Sequence, residues 1–126
     1  MELYITPEAK EEIQKKVTSL TRSPKHYKEI FDRINLYMHF IERELKELGL
    51  PEDFKYIPIQ ESFLVADEIS TSQAVGFWQL KKECASEVGI RMDEYIDERM
   101  HIIASTRGFA KYVKRHHAYF KNWLYS

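Results

Sequence analysis

Between Tyr27 and Leu48 the chain places an apolar residue every three or four positions: Tyr27, Ile30, Phe31, Ile34, Met38, Ile41, Leu45 and Leu48. That spacing draws one stripe along about six turns of helix, and a strand, whose side chains alternate every second residue, cannot use it. Ser23 and Pro24 mark its start as cap and first residue, Gly49 supplies a left-handed stop, and Leu50-Pro51 forbids continuation. A helix with one apolar face must bury that face against other elements. The stripe is therefore read as core, with no cofactor role for its methionine or its aromatic members.

The remaining punctuation points to the same class. Thr6-Pro7-Glu8 opens a helix that runs to about residue 20, and Pro51 or Glu52 opens another. Pro58 lies inside that second segment and should kink or restart it one turn before Glu61. Residues 65–76 read as irregular, residues 77–88 as a helix ending at Gly89, and "RMDEYIDERM" as a turn or short helix. A last helix from about residue 98 carries Ile102, Ile103, Thr106, Phe109, Ala110, Val113 and Phe120 on a helical period. No repeat, low-complexity run or linker interrupts the chain. The expected architecture is a single all-α domain over residues 1–126, a helical bundle with one long irregular loop.

Composition excludes several function classes. At 126 residues, 44% hydrophobic and 31% charged, the chain can close one core without disulfides or a structural metal. A net charge of −1 gives no general attraction to nucleic acid or anionic lipid, so no nucleic-acid partner is expected. The basic run with Lys111, Lys114, Arg115 and Lys121 reads as a solvated helix face. Cys84 has no second cysteine to pair with, and with no His or Asn placed beside it, it reads as a small apolar filler. His26, His39, His101, His116 and His117 form no i, i+4 pair with a neighbouring acid, so no metal and no cofactor are expected. No apolar run approaches the roughly 18 residues that span a bilayer, and the first residues lack the apolar region of a signal peptide.

One stretch departs from the helical pattern, "IQESFLVADEISTSQAVGFWQL" at residues 59–80. Glu61 sits there among Ile57, Ile59, Phe63 and Leu64. One reading is that it caps or solvates a helix end, as one acid among many; set in an apolar cleft, its charged form would be disfavoured and a proton kept for donation near neutral pH. The residues around Glu61 leave both readings open, and the order that follows bears on the choice. Glu61-Ser62 is followed by Ser70, nine residues after the glutamate, then by Ala74, Gly76, Trp78 and Gln79, the last eighteen after it.

That order resembles the signature of the family 1 lytic transglycosylases (the SLT domain) and their goose-type lysozyme relatives. Upstream, "LPEDFKYIPIQES" resembles the D-type membrane-bound murein transglycosylases. Downstream, Asp97-Glu98-Arg99, Ser105-Thr106 and Asn122-Trp123 fall in similar order, so the resemblance covers about residues 20–125. It implies a lysozyme-like fold, with residues 1–50 as lead-in helices and residues 51–126 as a catalytic core.

The resemblance also implies a chemistry: cleavage of the β-1,4 bond between N-acetylmuramic acid and N-acetylglucosamine in peptidoglycan, without water, leaving a 1,6-anhydro ring. Glu61 would be the sole general acid and base. Ser70 would donate to the substrate N-acetyl group or to Glu61, and Gln79 would fix a sugar across the cleft. Gly76 would let the backbone approach the glycan, and Ser62 would support the helix end or touch substrate. Phe77 would form an apolar wall or pack in the core, and Trp78 would pack in the core. Asp67 and Glu68 align with no catalytic position and should face solvent. The implied partner is the peptidoglycan glycan strand, and the implied location the periplasm or cell envelope.

Three positions depart from the pattern. Gln73 replaces the first glycine of the family's Gly-Ala-x-Gly segment, which implies a modestly different loop if that glycine needs positive φ. Lys81 and Lys82 replace an apolar residue and a proline. The chain stops before the family's C-terminal tyrosine motif, so the core is expected to lack its last helices. A non-catalytic relative that binds glycan or a partner protein on the same scaffold, or a plain helical interaction module, are the alternative readings.

Overall fold

A computed structural model describes residues 6–20 and 24–117. The calls that fall on Ser23, Phe120 and Lys121 lie outside those residues. Helix α1 spans Pro7–Leu20 and α2 spans Pro24–Glu47. A 3-10 turn over Glu52–Tyr56 leads straight into the short α3, Ile57–Ser62. Helix α4 covers Lys82–Glu87, a second 3-10 turn covers Glu98–Met100, and α5 runs over Ile102–Arg115. Among the described residues no β-strand forms; only the isolated antiparallel bridges Ile69–Val75, Val75–Leu80 and Met92–Asp97 occur. The fold is all-α.

Local chemistry explains the boundaries. Thr6 caps α1, its Oγ1 accepting from the Ala9 N–H at 3.1 Å. At the far end of α2, Gly49 adopts φ +73°, the Gly49 N–H donates to Lys46 at 3.2 Å and the Leu50 N–H to Leu45 at 2.9 Å. Those two bonds are the paired closure of a left-handed glycine stop, and the buried Leu45 and Leu50 supply its apolar contact. Pro58, in the first turn of α3, restarts the helix as expected.

Helix α2 packs on α5 and on the Glu52–Tyr56 turn, α1 packs on α3, and α4 on α5. The core between them holds Ile41, Leu45, Phe54, Ile57, Leu64, Phe77, Trp78 and Phe109, among others. Trp78 stacks on Phe109 at 4.2 Å, and its indole N–H donates to Thr106 Oγ1 at 2.9 Å. This satisfies the one polar atom that a buried tryptophan brings with it. Glu44 is also buried, at 1% exposure, and accepts a fork from Arg107 on α5, at 2.8 Å from Nε and 3.3 Å from Nη2. Removing either partner of such a pair strands the other's charge or donors, so the pair fixes how α5 sits on α2.

Three expectations need correction. The stripe on α2 is not core throughout: Ile30, Ile41 and Leu45 are buried, but Tyr27 and Phe31 are 51% and 50% exposed and stack on each other. Residues 77–81 are not helical. They form a tight turn between the bridged Val75 and Leu80, with Gln79 at φ +51°, so that α4 begins only at Lys82. The last helix starts at Ile102, where the His101 Nδ1 accepts from the Ala104 N–H; the preceding turn is 3-10.

Candidate active site

Helix α3 has six residues, Ile57–Ser62, of which four are buried. Ile57, Pro58, Ile59 and Ser62 turn inward and are buried, whereas Glu61 is exposed. The apolar neighbours expected around the carboxyl group instead lie behind it: Ile57 and Ile59 are 6% and 4% exposed and Leu64 is fully buried. Glu61 thus stands on the surface, at the last turn of a helix whose inner face is core.

Ser62 does not reach that surface. It is 1% exposed, with its hydroxyl 2.8 Å from the Phe77 carbonyl and 3.0 Å from the Pro58 carbonyl. It supports the helix end and ties α3 to the turn at residues 76–80. Phe77 is likewise core, 1% exposed and edge-on to Tyr37 at 4.8 Å. Neither is a surface contact.

The loop between them is held by its own polar groups. The Ser70 N–H donates to Ala74 at 2.9 Å, Ser70 Oγ accepts from the Ala74 N–H at 3.0 Å, and the Ser70 and Ser72 hydroxyls lie 3.0 Å apart. The Gly76 N–H donates to Glu68 at 2.8 Å, and Val75 and Leu80 exchange two bonds of 3.1 Å. Gln79 folds back over this frame: its Nε2 donates to the Gly76 carbonyl at 2.9 Å and to the Glu68 carbonyl at 3.0 Å. Both amide protons are engaged, so the group that Gln79 offers outward is its Oε1 acceptor. Asp67 and Glu68 are exposed, as expected.

Gly76 is needed for a reason other than glycan approach. It adopts φ +87°, and a Cβ there would lie 1.9 Å from the Arg99 carbonyl oxygen. The space beside it belongs to the chain's own backbone. Arg99 also reaches the turn with its side chain, Nη1 donating to the Leu80 carbonyl at 3.2 Å. Asp97 fixes that guanidinium, at 2.6 Å from Nη2 and 2.9 Å from Nε, and accepts from the Arg99 N–H at 3.0 Å. The Arg99 side chain beside it, aided by that N–H, holds the Asp97 carboxyl below the usual carboxylate range despite partial burial. The role of Asp97 and Arg99 as a clamp on the 76–80 turn is absent from their sequence pattern, which shows only two opposite charges two residues apart. Arg33, whose Nε donates to the Phe63 carbonyl at 2.8 Å, was equally invisible there.

Backbone strain concentrates on this segment. Among the described residues, the non-glycine positions with positive φ are Phe63, Leu64, Gln73 and Gln79, at 53°, 61°, 68° and 51°. Such conformations cost about 1–2 kcal/mol each and persist where surrounding contacts enforce them. Gln73 thus adopts the left-handed geometry that favours glycine. Its side chain is exposed, so Gln73→Gly should relieve strain without opening a cavity. The expected gain is about 0.5–1 kcal/mol, offset in part by glycine's greater unfolded-state freedom. Chemical denaturation checks it, and a loss of stability would contradict the strain assignment.

Cys84 on α4 is half-buried, and burial first, then the charge of Glu87, pushes its thiol up to about 11. A thiol with so little thiolate near neutral pH is inert. Alkylation by iodoacetamide at pH 8 should run on the order of a hundredfold slower than for a free cysteine and accelerate toward pH 11. Mass spectrometry of timed samples reads this, and free-thiol rates at pH 8 would refute it. No cluster of three or more His, Cys, Asp or Glu suited to a metal occurs among the described residues.

Residues 38–126 match the family described as the Transglycosylase SLT domain. The chain is 25% identical over 104 residues to membrane-bound lytic murein transglycosylase D of Escherichia coli (strain K12), covering 82% of this chain and 23% of that protein. It is 27% identical over 95 residues to a protein of Alteromonas sp. (strain M-1) named for tributyltin chloride resistance, covering 75% of this chain and 46% of that one. The chain thus spans about half the length of one relative and about a quarter of the other.

Proposed function

We propose, from the premise that this chain belongs to the Transglycosylase SLT domain family, that it is the lysozyme-like domain of a peptidoglycan lytic transglycosylase with Glu61 as sole general acid and base. The observation that carries this reading is the buried Ser62 hydroxyl, 2.8 Å from the Phe77 carbonyl. Through it the helix end bearing Glu61 is tied to the turn bearing Gln79, which supports reading the two as parts of one site.

In the proposed reaction the Glu61 carboxyl gives its proton to the glycosidic oxygen while the C1–O4 bond breaks. The 2-acetamido group of the muramic residue supports the positive charge that develops at C1, the part a second carboxylate plays in most glycosidases. The Glu61 carboxylate then takes the proton of the same sugar's 6-hydroxyl, and O6 closes on C1. No water enters, and the carboxyl ends as it began. Because the Glu61 side chain is exposed, the cover that would favour its protonated form comes from the glycan lying over it. Gln79 presents Oε1 to a sugar hydroxyl, while Ser70 shapes the loop wall.

A second reading has its own support. The amide protons of Gln79 are engaged inside the loop, and the Ser70 hydroxyl is held by Ser72 and Ala74. That arrangement suits a scaffold that binds glycan without cleaving it. The location proposed for either reading is the cell envelope, in keeping with the name of the E. coli relative. No helix among the described residues is long and apolar enough to cross a membrane.

The test is digestion of purified sacculi by the full-length protein, with the soluble products identified by mass. Anhydro-ended muropeptides support the transglycosylase reading, and reducing ends make the protein a hydrolase. Co-sedimentation with sacculi without any product favours the binding reading, and neither product nor binding sinks both.

A further inference from the structure

Arg33 lies on α2, five residues before the segment that matches the family. Its Nε nevertheless donates at 2.8 Å to the carbonyl of Phe63, two residues after Glu61. Phe63 is where α3 terminates. It takes φ +53° while its N–H still reaches Ile59 at 3.0 Å, and Leu64 follows at φ +61° with its N–H 3.4 Å from Pro58. Two consecutive left-handed residues that are not glycine need an outside hold, since each alone favours leaving that conformation.

The same face of α2 touches the other half of the site. Tyr37, one turn beyond Arg33, sets its ring edge against Phe77 at 4.8 Å. A cavity of about 190 Å³ opens where Arg33 and Phe63 meet, lined also by His26, Glu29 and Ile30. The guanidinium therefore crosses beside open space to reach one backbone carbonyl. It also lies at the C-terminal end of α3, where a helix favours a cation.

We propose that Arg33 is a positioning residue for Glu61: by anchoring the Phe63 carbonyl it fixes the end of α3 and so the direction in which the Glu61 carboxyl points. A residue outside residues 38–126, the part that matches the family, would then set the orientation of the acid. This rests on the reading of Glu61 as the acid. Arg33 acts through the backbone and makes no contact with the reacting atoms.

The test compares Arg33→Met and Arg33→Lys in the full-length protein, with Glu61→Gln as control and purified sacculi as probe. Amide exchange at Phe63 and Leu64, cleavage at saturating sacculi and sacculus binding are measured together. Arg33→Met should speed exchange at both amides about tenfold, the effect of losing one charge-assisted hydrogen bond. It should slow cleavage about tenfold or more through misplacement of the acid, with binding held within twofold. Arg33→Lys should recover part of both losses, since an ammonium can donate to the same carbonyl.

Unchanged exchange in Arg33→Met overturns the anchor. Faster exchange with unchanged cleavage overturns the positioning role, and parallel loss of cleavage and binding makes Arg33 a glycan contact instead. If Glu61→Gln cleaves as the parent does, the acid reading fails and the positioning role falls with it; the exchange data then report separately on the anchor.

Discussion

Glu61→Gln is expected to slow cleavage of peptidoglycan by about 10²- to 10⁴-fold, the usual worth of a positioned general acid. Glutamine matches the carboxyl in size and keeps an acceptor, but it has no proton to give and cannot take one from the 6-hydroxyl. Because one group serves both half-reactions in this mechanism, both steps lose their catalyst, and the larger end of that range is the expectation. The fold should respond little: Glu61 is exposed, and substitutions at exposed positions usually change stability by about 0.5 kcal/mol or less. The measurement is the rate of anhydro-muropeptide release at equal protein, with circular dichroism as the control for folding. Release within tenfold of the parent by a folded variant would remove Glu61 from its role. Gln79→Ala should cost less, because the part that Gln79 offers a sugar is a single acceptor.

Gly76→Ala should act on the opposite property. A Cβ at residue 76 would sit 1.9 Å from the Arg99 oxygen, 2.6 Å from the Arg99 carbonyl carbon and 3.3 Å from the Met100 nitrogen. All three are backbone atoms, and none can swing aside. Arg99 is fixed at its own N–H and guanidinium by Asp97, and the Met100 N–H donates to the Asp97 carbonyl at 3.1 Å. Alanine must also hold φ near +87°. Overpacking and left-handed strain together give an expected loss of about 3–5 kcal/mol. In a domain of this size that lowers the melting temperature by about 10–20 °C, read by thermal unfolding. A loss under about 1 kcal/mol would mean that the 98–100 turn does not press on Gly76 in solution.

The parts of the fold legible from the sequence were those decided locally. The length of α2, its glycine stop, the Thr6 cap and the Pro58 restart each depend on residues within one or two turns of each other. The 77–80 turn was not legible. Phe-Trp-Gln-Leu has the same apolar pattern in a buried turn as in a helix, and the choice was made by Arg99, nineteen residues away from Leu80. The site divides in the same manner. The spacing that singled out Glu61, Ser70, Gly76 and Gln79 survives in a connected loop, but the reasons behind the residues differ. Gly76 admits Arg99 rather than a ligand, Ser62 binds a carbonyl, and Phe77 is core. Glu61 is exposed, one residue from the end of α3, and a list of apolar neighbours does not record that.

The loop over residues 63–80 receives side-chain donors almost wholly on its backbone carbonyls: Phe63 from Arg33, Phe77 from Ser62, Leu80 from Arg99, and Glu68 and Gly76 from Gln79. Three of those four donors lie outside the loop. Its shape thus depends on residues outside it as well as on its own internal bonds. Transplanted to another scaffold without Arg33, Ser62 and Arg99, the segment would carry Ser70 and Gln79 but lose the conformation that presents them, whereas an exposed position such as Thr71 can drift with little consequence for the frame.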